Sequence, residues 1–142
     1  MKDSYMLTNS IEPQEYMDMR EAVGWGKFAI EEAAEGLKHS FVWCIRDNDR
    51  PIALGRVVWD HGYVMYIADI IVIPEYQKQG LGREIMENIM EFIRSKMKPG
   101  YRIMVSLLAA KEKEAFYEKF GFVTRPNNSV GAGMHQWFWT EE

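Results

Sequence analysis

The sequence predicts an α/β (α+β) protein in which helices flank one mixed, mostly antiparallel sheet. Three apolar, strand-like runs follow one another between residues 41 and 73, and short polar turns join them. After Gly82 the apolar period changes from strand to helix, and another strand-like run follows that helix. Short turns indicate antiparallel neighbours, whereas a strand–helix–strand unit indicates a parallel pair. The chain length suits one domain over residues 1–142.

The elements of the first two thirds follow from periodicity and turn residues. Helices are predicted at 11–23 and 27–38, and strands at 41–46, 52–59 and 63–73, with a further strand at 101–108. The helix over residues 83–97 has one apolar face, formed by Ile85, Met86, Ile89, Met90, Ile93 and Met97. The strands on either side of this helix are expected to run parallel.

The C-terminal part is predicted to add a helix and two short strands. The helix spans 111–120, with Gly121 as its cap, and the strands span 122–124 and 134–140. The aromatic residues Trp137, Phe138 and Trp139 are expected to pack in the core and at the sheet edge. A homodimer contact is the alternative role for these three side chains.

Composition excludes several classes of protein. The formal net charge is −4 and basic residues are scattered, which argues against a nucleic-acid partner. The single cysteine, Cys44, lies in an apolar run, so we expect a buried thiol and a reducing compartment. No apolar run approaches the ~18 residues of a membrane span, and the start lacks a signal-peptide core. We therefore expect a cytoplasmic protein without a membrane partner, and no metal site is predicted.

The sequence PEYQKQGLGREI, residues 74–85, separates a buried strand from an amphipathic helix. Glycine permits tight turns and close approach of a ligand. The first N–H groups of a helix lack partners, and the helix dipole favours an anion there. A Walker A loop is absent, and Ile85 stands where a dinucleotide fingerprint needs a small residue. The turn therefore predicts a different phosphate site, and a plain turn without ligand is the alternative.

Gln77, Gly80 and Gly82 form the pattern Gln-x-x-Gly-x-Gly. It resembles the pyrophosphate-binding motif of the GNAT superfamily of N-acetyltransferases, which bind acetyl-coenzyme A. The flanking IIVIPEYQKQGLGREIMENIM is similar to that family's fourth strand, turn and third helix, and AFYEKFGF is similar to a later helix. The resemblance covers roughly residues 40–125. It implies a GNAT-like fold with a splayed central strand pair, and acetyl-CoA as co-substrate.

The resemblance also implies which residues contact the coenzyme. Backbone N–H groups of the turn would hold the pyrophosphate, at Lys78, Gln79, Gly80, Leu81, Gly82 and Arg83, with Gln77 opening the motif. Backbone groups of Ile71, Val72 and Ile73 would lie beside the pantetheine arm. Many family members have an asparagine where this chain has Ala109 and Ala110, and Lys111 is expected to reach the coenzyme instead.

Two catalytic roles follow from the same resemblance. Tyr117 matches a tyrosine that protonates the departing thiolate, and its alternative role is a core aromatic. Asp69 lies within an apolar run, where burial would raise its pKa and suit a general base. The alternatives for Asp69 are a cap on a strand bulge or a partner for a basic residue. Tyr66, His61 and an ordered water are the other candidates for the base.

The acceptor pocket is expected between the N-terminal helices and the C-terminal segment. Trp25, between two glycines, is suited to a pocket wall, and Tyr66 and Met134 are expected to contact the substrate. Glu21, Glu31 and Glu32 would attract a cationic amine or remain solvated. The activity expected is acetyl transfer to a primary amine of a small molecule. The alternatives are a protein acceptor, a non-catalytic acyl-CoA sensor, and a structural module with an empty turn.

Overall fold

The computed structural model describes residues 2–140. The chain divides into two compact units, one ending at Leu107 and the other beginning at Leu108. The first unit contains the sheet and the long helices, and the second contains one short helix. The prediction of one domain over residues 1–142 stays a prediction.

The first unit contains a five-stranded mixed sheet in the order β1-β2-β3-β4-β5. Its strands are β1 Tyr5–Thr8, β2 Phe41–Asp47, β3 Arg50–Trp59, β4 Val64–Val72 and β5 Met104–Leu107. The first four strands pair antiparallel in succession, and β5 pairs parallel to β4. The predicted mixed, mostly antiparallel sheet is therefore confirmed, as is its parallel pair.

Helices cover both faces of this sheet. They are α1 Pro13–Ala22, α2 Ile30–Lys38 and α3 Leu81–Lys96, and a short 3-10 turn, Pro74–Tyr76, precedes α3. The start of α1 is stabilised by a capping box between Glu12 and Glu15. On one face, α3 buries Ile85 and Ile89 against β3 at Gly55. On the other face, α1 contacts the side chain of Asp69.

Strand β1 is absent from the sequence prediction. Its four residues, YMLT, pair antiparallel with β2, from Tyr5 opposite Asp47 to Thr8 opposite Cys44. A segment this short shows no clear alternation of apolar and polar residues, so its sequence alone does not indicate a strand. The edge of β2 supplies the hydrogen-bonding partner that makes it one.

The second unit differs from its prediction. It contains α4, Glu114–Glu118, and Gly121 ends the helical segment with a left-handed φ of 91°. The predicted strands at 122–124 and 134–140 are wrong, because the structure assigns no strand to the described residues of this unit. The prediction that the aromatic tail is buried is also wrong, because Phe138 is 84% and Trp139 88% exposed. Aromatic and apolar residues favour a strand, but a strand also needs a partner edge.

Cys44 is a free, fully buried cysteine in β2, as predicted. Burial raises the pKa of its thiol to about 11, so the thiolate, which is the reactive form, is scarce near neutral pH. Among the described helices, none is both long enough and apolar enough to cross a membrane.

Candidate functional site

The residues from Gln77 to Arg83, hereafter the glycine turn, join the 3-10 turn to α3. Gly80 is the N-cap of α3 and has a left-handed φ of 83°. Lys78 also has positive φ, at 64°. Glycine adopts this conformation without the steric cost that other residues incur. The chain can therefore reverse sharply and place the first turn of α3 directly after the strand.

A row of backbone donors lies at this helix start. Within residues 2–140, the N–H groups of residues 78–83 donate to no protein acceptor. The flanking groups are used, since Gln77 N–H donates to Pro74 O at 3.3 Å and Glu84 N–H to Gly80 O at 3.0 Å. Unpaired N–H groups at a helix N-terminus, together with the helix dipole, form a site for an anion such as a diphosphate.

Side chains of the glycine turn are held by neighbouring elements. Gln77 Nε2 donates to the carbonyl of Val72 at 2.9 Å, which ties the turn to the end of β4. The hydroxyl of Tyr5 donates to Gln79 Oε1 at 2.9 Å. Tyr5 belongs to β1, so sequence analysis missed this contact together with the strand. Lys78 is exposed, and Arg83 pairs with Glu87 one helical turn later at 2.7 Å.

Strand β4 contains a bulge at Ala68. Arg56 of β3 lies opposite Asp69, but the next residue, Val57, lies opposite Ile67, so Ala68 has no partner across the β3–β4 pair. On its other side, β4 pairs with β5 only as far as Ile67. Residues 68–72 therefore present an edge that β5 does not cover, as a splayed strand pair would.

The backbone groups at this open edge can be assigned by alternation along the strand. Ile73 N–H donates to Ile52 of β3 at 3.1 Å, and the carbonyl of Ile73 accepts from Tyr76 N–H at 3.0 Å. Successive residues of a strand direct their backbone groups to opposite sides. Ile71 therefore also directs its groups to β3, while Ile70 and Val72 direct theirs to the open edge. Val72 and Ile70 therefore face the open edge, and the predicted ligand contacts of Ile71, Val72 and Ile73 stay predictions.

Beside the bulge, four side chains form what we term the Asp69 network: Asp69, Tyr16, Arg20 and Arg56. Asp69 Oδ2 accepts from the Tyr16 hydroxyl at 2.6 Å and from Arg56 Nε at 2.8 Å. Asp69 Oδ1 accepts from Arg20 Nη1 at 3.3 Å. The carboxylate is buried, with 5% of its surface exposed. Burial, and then the charge of Asp69, raise the pKa of Tyr16, so its hydroxyl remains a donor.

These contacts bear on the predicted general base. Both oxygens of Asp69 are occupied, so the alternative in which Asp69 pairs with a basic residue is present in the structure. The role of Asp69 as a base stays a prediction. Tyr66 is half-buried on β4, and burial and Asp69 raise its pKa. His61 lies in the β3–β4 turn, where its ring is 4.5 Å from that of Trp59.

Aromatic rings surround the guanidinium group of Arg20. The ring centroids of Phe28, Trp25 and Tyr16 lie 4.4, 5.4 and 5.8 Å from it. Trp25 is half-buried, so part of its ring faces solvent. Trp25 was predicted from the sequence as a pocket wall, but its partners were not, because nothing in the spacing of α1 indicates that Arg20 points inward.

The exposed glutamates that were predicted to attract a cationic amine contribute less to the site than the buried Asp69 network does. Glu21 pairs with Lys27 at 3.1 Å, and both side chains are more than half exposed. Glu31 and Glu32 are exposed on the first turn of α2. Exposed ion pairs are screened by water and contribute little.

The second unit contains the predicted acid. Tyr117 lies on α4, half-buried, and its ring contacts those of Phe116 and Phe122 at centroid distances of 5.0 and 6.4 Å. Burial raises the pKa of Tyr117, so the phenol keeps its proton at neutral pH. Lys111 is exposed, and Met134 is 91% exposed. The described residues contain no group of three or more His, Cys, Asp or Glu side chains that could hold a metal ion.

Comparison with known proteins identifies the class that this fold and turn define, which is an acetyltransferase. A family model described as an acetyltransferase (GNAT) domain matches residues 38–124. That is more than half of the chain, and the chain therefore belongs to the GNAT acetyltransferase family. The resemblance noted in the glycine turn is thereby confirmed.

Individual relatives agree with the family. A probable acetyltransferase of unknown function from meticillin-resistant Staphylococcus aureus is 33% identical, with a TM-score of 0.83, and the match covers 94% of this chain and 99% of that one. An uncharacterized N-acetyltransferase from Porphyra purpurea is 28% identical over 137 residues, covering 92% of this chain and 76% of the relative. A chloroplastic serotonin N-acetyltransferase from Oryza sativa is 28% identical over 119 residues, covering 80% of this chain and 58% of the relative. The chain is an N-acetyltransferase of a family that uses acetyl-CoA as co-substrate.

Proposed function

We propose that the protein transfers the acetyl group of acetyl-CoA to the primary amine of a small molecule. The observation that supports this most is the row of unpaired N–H groups over residues 78–83, at the start of α3. These donors suit the coenzyme's diphosphate. The open edge of β4 offers the backbone groups of Ile70 and the N–H of Val72, whose carbonyl already accepts from Gln77, and these groups complement the amides of the pantetheine arm.

The reaction proceeds by direct attack. The neutral amine attacks the thioester carbonyl and a carbon–nitrogen bond forms. The tetrahedral intermediate then collapses, the carbon–sulfur bond breaks, and the sulfur leaves with the electron pair. Tyr117 donates its phenolic proton to that sulfur, while the new nitrogen substituent releases its extra proton to the general base or to water. The phenolate regains a proton from solvent before the next turnover. The raised pKa of Tyr117 supports this role, because the proton is present on the oxygen throughout the neutral range.

A small-molecule acceptor is favoured by the surroundings of Arg20. Trp25 and Phe28 are half-buried on the segment between α1 and α2, close to the Asp69 network. Half-buried rings beside a buried polar cluster are typical of a small-molecule site. The rice relative, whose name gives serotonin as its substrate, is consistent with such an acceptor. The cytoplasmic location and the homodimer contact through residues 137–139 stay predictions.

Calorimetric titration of the purified protein with acetyl-CoA tests the coenzyme site. We expect saturable binding to one site, and weaker binding in Gly80→Ala. Gly100→Ala is a matched control, because Gly80 and Gly100 have nearly equal φ values of 83° and 84° and no atom within 4 Å of an added Cβ. Both variants should lose about 1–2 kcal/mol of stability from the left-handed conformation. Only Gly80→Ala should lose affinity, and a folded wild-type protein without any binding would refute the proposed function.

Turnover of an amine panel, followed by release of the coenzyme thiol, tests the chemistry. Tyr117→Phe should lower kcat by about 10²–10⁴-fold while leaving the acetyl-CoA Kd unchanged, because only the proton donor is lost. Tyr63→Phe serves as control, since Tyr63 is 65% exposed in the β3–β4 turn. In the wild type, ionisation of Tyr117 should not lower kcat until the pH exceeds the ordinary tyrosine value of about 10. Unchanged turnover in Tyr117→Phe would show that this residue is not the acid.

A further inference from the structure

The Asp69 network contains more positive than negative charge. Two guanidinium groups, Arg20 and Arg56, face one carboxylate, Asp69. The side chains of Arg20 and Arg56 are only 10% and 18% exposed. Burial of charge without full compensation is costly, and the overall charge of the chain is negative. Among the described residues, Asp69 is the only acidic side chain that forms an ion pair with either arginine, so one of the two positive charges has no ion-pair partner.

Arg20 has a donor left for such a counter-ion. Its Nε donates to Gly26 O at 3.0 Å and its Nη1 to Asp69. Its Nη2 makes no hydrogen bond within the described residues. Those residues contain no buried side-chain nitrogen or oxygen without a partner. Nη2 must therefore reach accessible surface, although Arg20 as a whole is 92% buried.

The environment of Arg20 fixes its orientation. The three aromatic rings of Phe28, Trp25 and Tyr16 pack around its guanidinium group, and the Gly26 carbonyl and Asp69 fix two of its edges. An arginine held in this way loses little further conformational freedom when it binds a ligand. A carboxylate is the small anion that matches the remaining donor by charge-assisted hydrogen bonding.

Arg56 adds to the positive electrostatic field of Arg20. Its Nε donates to Asp69, and its Nη1 donates to Ser40 at 2.9 Å, close to Gly36 of α2. Asp69 directly follows the bulge residue Ala68 on β4, the strand whose open edge we assign to the coenzyme arm. The uncompensated charge is therefore close to the proposed site of acetyl transfer.

We propose that the acceptor is a primary amine that also carries a carboxylate, and that Arg20, supported by Arg56, binds this carboxylate. The inference rests on the proposed function and specifies its substrate class. Apolar contacts with Trp25 and Phe28 favour an acceptor with an aromatic or aliphatic side chain. Acceptors with several positive charges, such as polyamines, are disfavoured by the same field.

Matched pairs of amines, with and without the carboxylate, provide the test. We would compare kcat/KM for phenylalanine with phenethylamine, and for tryptophan with tryptamine, at saturating acetyl-CoA. The carboxylated member should be preferred by about ten-fold or more in the wild type, as expected for a charge-assisted hydrogen bond. Arg20→Met should abolish the preference, and Arg20→Lys should retain part of it. Arg46→Met is the control, because Arg46 pairs with both oxygens of Glu15 at 2.9 Å, away from Asp69.

Equal kcat/KM within each pair would overturn the inference and leave the proposed function intact. A preference that persists in folded Arg20→Met would also overturn it, because Arg20 would not be its source. If no amine is acetylated, the proposed function fails, and thermal stabilisation tests the subsite separately. Phenylalanine should then raise the Tm of wild-type protein, whereas phenethylamine should not, and Arg20→Lys should respond more weakly. Absence of this difference in Tm would overturn the inference as well.

Discussion

The two faces of strands β3 and β4 differ in chemistry: one is apolar and the other carries buried charges. On the face covered by α3, Gly55 lies against Ile85 and Ile89, with Ile70 beside it, and all these groups are apolar. On the face covered by α1, Arg56 and Asp69 join Tyr16 and Arg20 in a buried ionic network. The residues of the two sets are sequence neighbours, because side chains alternate across a strand. The apolar face holds α3, and with it the glycine turn, while the polar face supplies charge beside the bulge.

Stability and specificity are separated between these two faces of the sheet. Burial of Ile85, Met86 and Ile89 is favourable without any particular partner, since the hydrophobic effect is not directional. The polar face depends on Asp69, the carboxylate shared by both guanidinium groups, because its removal leaves buried charge uncompensated. We therefore expect the largest free-energy effect from substitutions on the polar face, a smaller one from substitutions on the apolar face, and the smallest from substitutions at the glycine turn.

Asp69→Asn should cause the largest loss in the free energy of unfolding, through the polar face. Loss of the carboxylate leaves two guanidinium groups in a buried environment without their shared counter-ion. Removing one partner of a buried ion pair typically costs about 3–5 kcal/mol. Chemical denaturation with urea, followed by circular dichroism, measures the free energy of unfolding.

Asp18→Asn is the control for Asp69→Asn, because Asp18 is exposed on α1 and accepts a hydrogen bond from Gln14. Its substitution should change the free energy of unfolding by less than about 0.5 kcal/mol. Similar losses in the two variants would show that water compensates the charges of the network. Turnover of Asp69→Asn that remains near the wild-type value would also remove Asp69 from the candidates for the base.

Gly55→Ala should lower the free energy of unfolding by disrupting the packing of the apolar face against α3. A Cβ at Gly55 would clash with Ile85 Cγ2 and lie 3.0 Å from Ile89 Cδ1, so α3 would have to shift. Overpacking of this kind costs about 1–3 kcal/mol. Gly131→Ala is the control, since an added Cβ there meets no atom within 4 Å and its φ is ordinary. The double variant Gly55→Ala/Ile85→Ala should relieve the clash, so a sum of the two single losses would contradict this explanation.

The sequence predicts the apolar face better than the polar one. The periodic apolar residues of α3 and the strand-like runs of β2, β3 and β4 are local patterns, and the structure contains these elements within a few residues of their predicted bounds. The Asp69 network joins α1, β3 and β4 through residues 13 to 53 positions apart in the sequence. No local spacing indicates those contacts, so of the four residues of the network only Asp69 could be proposed from sequence.

The failures of prediction also have a common cause. Residues 134–140 are rich in aromatic residues, as strands often are, but form none, and Tyr5–Thr8 form a strand without a clear pattern. In both segments the outcome depends on an available partner edge and not on the residues alone. The glycine turn is the opposite case, because left-handed φ at Gly80 and unpaired helix N–H groups are local consequences of its sequence.

Tyr5→Phe tests the glycine turn, because α3 is placed by the apolar face whereas the side chain of Gln79 is held by a hydrogen bond from the Tyr5 hydroxyl. The variant keeps the ring packing against Tyr76 and removes only the hydroxyl. A hydrogen bond contributes about 0.5–1.5 kcal/mol, so the Kd for acetyl-CoA should rise roughly two- to ten-fold.

Tyr76→Phe is the control, because its hydroxyl donates to Asp47 instead of the turn. Gln79→Leu should have the same effect as Tyr5→Phe, and the double variant should lose no more affinity than either single variant. Additive losses would mean that Tyr5 acts on coenzyme binding by a route other than Gln79.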